Sequence, residues 1–145
     1  MILKWYHSIM KLLTRDTDYA VRAICSMAAR PGEVVTAGEL VKELRIPRPF
    51  LRKILQRLSK KGLIESSKGS GGGFRLSMRI SKISIADLVE AFQGPLNMNK
   101  CAFKKKTCPN TRVCPLKRRI DQITDRVESE LRSITIGSLI GERHK

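Results

Sequence analysis

Histidine is nearly missing from this 145-residue chain: its two copies, His7 and His144, stand at the far ends. Between them no imidazole can serve as a general base or ligate zinc. No hydrolase or transferase constellation takes its place. The expectation is a protein that is not an enzyme and has no small-molecule substrate. Acidic residues are few, 13 against 29 lysines and arginines, for a formal charge of +16. That imbalance favours polyanions, nucleic acid first and anionic lipid second. Long apolar runs are missing too. Lys4, His7, Lys11 and Arg15 interrupt the N-terminal one, which falls short of the ~20 residues a bilayer span needs and lacks a small-residue cleavage site. The chain is therefore expected in the cytoplasm with no membrane partner. Thiols stay reduced there, so clustered cysteines suggest metal or redox chemistry rather than a structural disulfide.

The length suits one modest domain, or one domain plus an appendage. Residues 1–9 show no clear pattern, and Met10 is a candidate physiological start. Asp16-Thr17-Asp18 offers cap and first-turn acids for a helix from about Asp18 to Ala29. Tyr19, Ala20, Ala23, Ile24, Met27 and Ala28 mark its buried face, and Cys25 at its apolar edge reads as a small core residue. Thr36 caps a short helix, Ala37 to Leu44, with Glu39 in the box position. After the tight connector Arg45-Ile46-Pro47, Pro49 suits the first position of another helix, with Arg48 as its cap-position residue. That helix runs to about Lys61, where Gly62 can stop it in the left-handed conformation. Two short helices joined so closely read as helix-turn-helix.

The second of these helices has two plain faces. Leu51, Ile54, Leu55 and Leu58 follow the i, i+3, i+4, i+7 rule and should face the core. At about 100° per residue, the opposite side carries Pro49, Arg52, Lys53, Gln56 and Lys60, flanked by Arg48 and Arg57. Such a face is usually just solvated. Here the tight turn and the global charge favour a groove-reading helix: arginine pairs with guanine edges, glutamine with adenine, and lysine neutralises phosphate. Residues 63–67 and 74–77 then read as strands around Lys68-Gly69-Ser70-Gly71-Gly72-Gly73, a hairpin wing. A phosphate-binding loop would need a following helix and a Gly-Lys-Ser/Thr ending, and both are absent. The glycines instead allow close backbone approach to a phosphate or the minor groove, with Lys68 at the base and Arg75 beyond.

Ser84 caps a helix from Ile85 to Phe92, closed by Gly94-Pro95. Three of the four cysteines follow as Cys101, Cys108 and Cys114, spaced C-x6-C-x5-C. Structural zinc usually shows Cys-x2-Cys knuckles and four ligands. A three-thiol site with a different fourth ligand fits an iron–sulfur cluster better, while zinc and thiol-redox chemistry stay open. Leu116, Ile120, Ile123, Val127, Leu131 and Ile134 then form one apolar seam on a long helix. Lys117–Asp121 and Glu128–Arg132 are i, i+4 pairs on its flanks. A second copy of the chain is the expected cover for that seam, giving a symmetric dimer. Thr135 to Ile140 repeats the cap-and-turn pattern of Ser84 to Val89, so a last short helix is expected, with residues from Gly141 onward loose.

Several stretches together carry a resemblance: Leu13-Thr14-Arg15-Asp16-Thr17-Asp18-Tyr19-Ala20-Val21-Arg22-Ala23, Ile46 to Leu51, Gly62-Leu63-Ile64, Gly69 to Phe74, and the three-cysteine loop. Through them the chain resembles, from Met10 to about Ile140, the bacterial winged-helix regulators that include IscR and NsrR. The resemblance implies a homodimer tied by the long helix and a near-palindromic double-stranded operator. It also implies a cluster sensing iron–sulfur status, nitric oxide or oxidants. In IscR-like members a histidine three residues after the last cysteine completes the site. Here that place is Lys117, which cannot ligate when protonated. In NsrR-like members an aspartate at the start of the partner subunit's first helix is the fourth ligand, and the matching residue is Asp18, otherwise a first-turn acid on its helix dipole. The first cysteine interval is one residue longer than the family's usual five, which leaves two-iron against four-iron open.

The expected architecture is mainly α with a small β-hairpin: a winged helix-turn-helix at 10–95, a cysteine loop at 96–115, and a dimerisation helix with a short C-terminal helix at 116–140. The expected function is a sequence-specific DNA-binding regulator, a repressor, switched by an iron–sulfur cluster on Cys101, Cys108, Cys114 and Asp18. Thr14, Thr36, Arg48, Pro49, Phe50, Arg52, Lys53, Gln56, Lys60, Lys68, Gly71 and Gly72 are the expected DNA contacts. Its rivals are a winged-helix regulator with a zinc or thiol-redox site, and an iron–sulfur electron-transfer protein.

Overall fold

The computed structural model describes residues 12–96 and 114–143. Helix α1 (Arg15–Ala28) begins about one turn earlier than the acids at 16 and 18 suggest. Thr14 is its cap, accepting the Thr17 N–H at 3.4 Å. The reason is tertiary: the Gln93 side-chain oxygen accepts both the Thr14 N–H (2.9 Å) and the Thr17 hydroxyl (2.7 Å). Ala20, Ala23, Ile24 and Met27 are buried as their spacing requires, and Cys25 joins the core.

Helix α2 (Ala37–Leu44) has the reciprocal Thr36–Glu39 capping box. Arg45 follows at φ 53, the single non-glycine residue with positive φ among the described residues. This left-handed residue turns the chain sharply, buried Ile46 anchors the turn, and helix α3 (Arg48–Lys60) starts at Arg48, with Pro47 rather than Arg48 in the cap position. Leu51, Ile54, Leu55 and Leu58 are all buried. Each contributes about 2 kcal/mol of apolar burial. At the far end Gly62 takes φ 73. Its N–H donates to the Ser59 carbonyl and that of Leu63 to Leu58, a Schellman closure with Leu58 and Leu63 both buried.

Strands β1 (Ile64–Ser67) and β2 (Gly73–Leu76) form the antiparallel wing, with Glu65 opposite Arg75. Val35 adds a third position, exchanging two 2.8 Å backbone hydrogen bonds with Phe74. This changes the reading of the glycines. A Cβ at Gly73 would stand 2.6 Å from the Val35 carbonyl, and one at Gly72 2.5 Å from that of Ser67. Both positions need glycine for the chain's own close packing.

A short 3-10 turn (Ile80–Lys82), for which the sequence offers no pattern, leads to α4 (Ile85–Gln93), capped by a Ser84–Asp87 box. Helix α5 (Pro115–Ser133) stops one residue before Ile134, and α6 (Ile136–Arg143) continues through Gly141, which had been expected to be loose. The two similar cap segments lie side by side. Ser84 and Thr135 form an antiparallel bridge, with Ile85 N–H donating to Ile134 (2.8 Å) and Ile136 N–H to Ile83 (2.9 Å). Helix α1 sits at the centre, touching α2, α3, α4 and α6. The seam of α5 is divided. Leu131 is buried and Val127 packs on the core, whereas Leu116 and Ile123 are exposed.

Candidate nucleic-acid interface

Burying its apolar seam turns the opposite side of α3 outward. Arg48, Pro49, Phe50, Arg52, Lys53, Gln56 and Lys60 are all exposed. Beside this face runs an open groove. Lys53, Gln56 and Lys60 line its helix side, Ser66, Ser67 and Lys68 its wing side, and Ile54, Phe74 and Phe92 also line it. Arg52, Lys53, Lys60 and Lys68 make no ion pair among the described residues. Some cations elsewhere are paired, Arg22 with Asp18, Arg30 with Glu43 and Arg75 with Glu65 at 2.9 Å, while others such as Arg79, Arg118 and Arg126 are not, among the described residues. Cations left unpaired on one face create the positive potential that a phosphate backbone meets.

The other expected contact residues surround this face in different ways. Gly71, at φ 76, lies at the exposed wing tip with open space where a Cβ would go. Thr14 and Thr36 both serve as helix caps, and the Thr36 hydroxyl donates to Glu39 at 2.7 Å. Two hydrogen bonds from Thr36, one from its backbone N–H and one from its hydroxyl, hold the Glu39 carboxyl below the usual glutamate range. Arg57, expected only to flank the reading face, has its guanidinium 5.5 Å from the centroid of the Phe92 ring, a cation–π contact. Sequence reasoning overlooked Phe92 and Gln93. These adjacent residues end α4 and touch both α3 and the start of α1. The Gln93 amide also donates to the Leu12 carbonyl at 3.2 Å. Only a glutamine just ahead of Gly94-Pro95 could have hinted at this clamp.

Of the expected cluster ligands, Cys101 and Cys108 lie outside the described residues, as do His7 and His144. Cys114 is the cap residue of α5, its sulfur accepting the Lys117 N–H at 3.5 Å. A backbone N–H and the positive end of a helix are suitable surroundings for a metal-ligating sulfur. Lys117 itself is engaged with Asp121 at 2.6 Å. Asp18 lies half-exposed in the first turn of α1, paired with Arg22 at 3.1 Å. Surface pairs of this kind are weak, so the carboxylate is exchangeable. Among the described residues no three metal-binding side chains converge.

Residues 13–142 match the model of the Rrf2 family, described as iron-dependent transcriptional regulators. The chain belongs to the Rrf2 family. Over 112 residues it is 33% identical to the HTH-type transcriptional regulator NsrR of Bacillus subtilis (strain 168), covering 76% of this chain and 77% of that one. Two solved structures share the Rrf2 fold. CymR, described as the global cysteine regulator of B. subtilis, aligns with a TM-score of 0.72 at 20% identity, covering 92% of this chain and 98% of its own. IscR of T. potens gives 0.70 at 21%, covering 92% and 89%. At those identities the likeness speaks for the fold alone. The winged helix-turn-helix and the resemblance to IscR and NsrR regulators are thus borne out. As an Rrf2 protein the chain is a DNA-binding transcriptional regulator and not an enzyme. Among the described residues no helix is long and apolar enough to cross a membrane.

Proposed function

We propose that this Rrf2 regulator is a cytoplasmic homodimeric repressor that binds a near-palindromic operator and is switched by an iron–sulfur cluster. The observation that carries the reading is the unpaired cationic face of α3 continuing across a groove onto the wing. Each subunit places α3 in the major groove, with Arg52, Lys53 and Gln56 at base edges and Arg48 and Lys60 toward phosphates. Lys68 and the wing glycines Gly71 and Gly72 hold the backbone, with the helix starts at Thr14 and Thr36 alongside. The exposed Leu116 and Ile123 on α5 support a second copy as the cover of that helix.

Cys101, Cys108 and Cys114, with Asp18 of the other subunit, would hold the cluster. The donor chemistry that is described fits: a sulfur with an N–H partner and a half-exposed, exchangeable carboxylate. When bound, a two-iron or four-iron cluster supplies a redox-sensitive tie between the cysteine loop and α1. Phe92 and Gln93, which precede that loop in the chain, hold Arg57 and Thr14 in place. A few kcal/mol of differential binding between two such states changes operator occupancy by orders of magnitude.

Anaerobic purification with an operator-shift assay tests the switch. The expected protein is brown, and removal of the cluster changes operator affinity at least tenfold. A colourless protein with stoichiometric zinc, or equal affinity in both forms, overturns it. Arg52→Ala should relax sequence preference, at a cost of about 1–3 kcal/mol on the cognate site, whereas Lys68→Ala should weaken all duplexes equally. Uniform weakening by both would remove Arg52 as a base reader.

A further inference from the structure

Phe50 is 47% exposed on a helix whose other exposed residues, Pro49 apart, are charged or polar. It lies in the first turn of α3, one turn ahead of Lys53 and two ahead of Arg57, both of which line the groove. A helix start in this position ordinarily offers its amides to phosphate. This one does not. Pro49 has no N–H, and the N–H groups of Phe50 and Leu51 both donate to the Pro47 carbonyl, at 3.0 and 3.1 Å. Beside the exposed Arg48, the leading end of α3 therefore presents the carbon surface of Pro49 and Phe50 rather than a fan of amide donors. Among the groups that base pairs display in the major groove, the thymine 5-methyl is the apolar one.

We infer that Pro49 and Phe50 form an apolar tip that packs against a thymine methyl, which makes Phe50 a specificity-determining residue. The inference rests on the reading of α3 as the groove-reading helix and deepens it. The cations of the same face supply affinity for any duplex, and the tip supplies discrimination. Thymine at one fixed place in each half-site is the consequence.

The test uses the full chain and a duplex operator enriched from a random-sequence pool. Each thymine of a half-site is replaced singly by uracil, which removes the methyl and keeps O4 and the pairing with adenine. One replacement should weaken wild-type binding roughly fourfold, the factor for one buried methyl. It should leave Phe50→Ala unaffected and weaken Phe50→Leu again, because leucine stays apolar. Thermal melting of both variants, expected to match wild type, verifies that they fold. The inference is overturned if the enriched half-site has no thymine, or if every uracil replacement is felt equally by wild type and Phe50→Ala. Enrichment of no sequence would instead overturn the reading of α3 itself.

Discussion

Helices α3 and α5 carry apolar seams of equal regularity, yet the chain covers the first fully and the second only in part. On α3, Leu51, Leu55 and Leu58 are fully buried and Ile54 is 2% exposed. On α5, Leu131 is 8% exposed, but Ile123 is 46% and Leu116 69% exposed. The first seam meets α1, α2 and α4 within the same chain, while α5 packs against α4. Periodicity reports that a helix is two-faced and says nothing about what lies against the apolar face. The difference separates a half whose apolar seam is closed within one chain from a helix that leaves Leu116 and Ile123 uncovered.

The largest expected effect is at the buried seam. Leu55→Ala should lose about 2–5 kcal/mol in urea unfolding, whereas Ile123→Ala in dissociated subunits should change stability by less than about 0.5 kcal/mol. Equal losses would erase the contrast. Next comes the clamp at the point where the chain leaves the reading half. Gln93→Ala removes the acceptor of the Thr14 N–H and the fully buried Thr17 hydroxyl. A loss of about 1–2 kcal/mol should appear, with faster hydrogen exchange at the start of α1. Unchanged exchange there would mean that the clamp is idle.

Ile123→Asp addresses the other seam. It should weaken self-association tenfold or more, about 1.4 kcal/mol, in sedimentation equilibrium, while the far-ultraviolet spectrum stays the same. Association that ignores the change would place the subunit contact elsewhere. The smallest effect is at the α2 cap, where Thr36→Ala should cost about 1 kcal/mol. Glu39 adds a pH signature. Its carboxyl is held below the usual range by the Thr36 hydrogen bonds, so its contribution is present above the unfolded value and is lost as pH falls through the folded one. Glu39→Gln should flatten that acid limb, and an unaltered acid profile would show that the box carries no linkage.

Several elements were legible because their causes are local. The Thr36–Glu39 box, the apolar face of α3, the Gly62 stop and the hairpin each depend on residues a few positions apart. The start of α1 was misread for the opposite reason. Asp16 and Asp18 are good cap residues, but Gln93, 79 positions from Thr14, moves the helix start back about one turn. Within the site, the cationic face of α3 was legible as a spacing. The removal of Arg57 to the Phe92 ring was not, because cation and ring are brought together only by the packing of α4. Gly73 likewise reads as a flexible wing residue until Val35 is found 2.6 Å from its absent Cβ.

By itself, the order of residues determined most of the helices, the Thr36 and Ser84 caps, the two-faced character of α3 and the surplus of positive charge, since each follows from short-range periodicity and composition. Tertiary structure decided which apolar seam is covered, which cations stay unpaired and which glycines are needed for packing. Those outcomes depend on distances between segments far apart in the chain, and no local spacing encodes such distances.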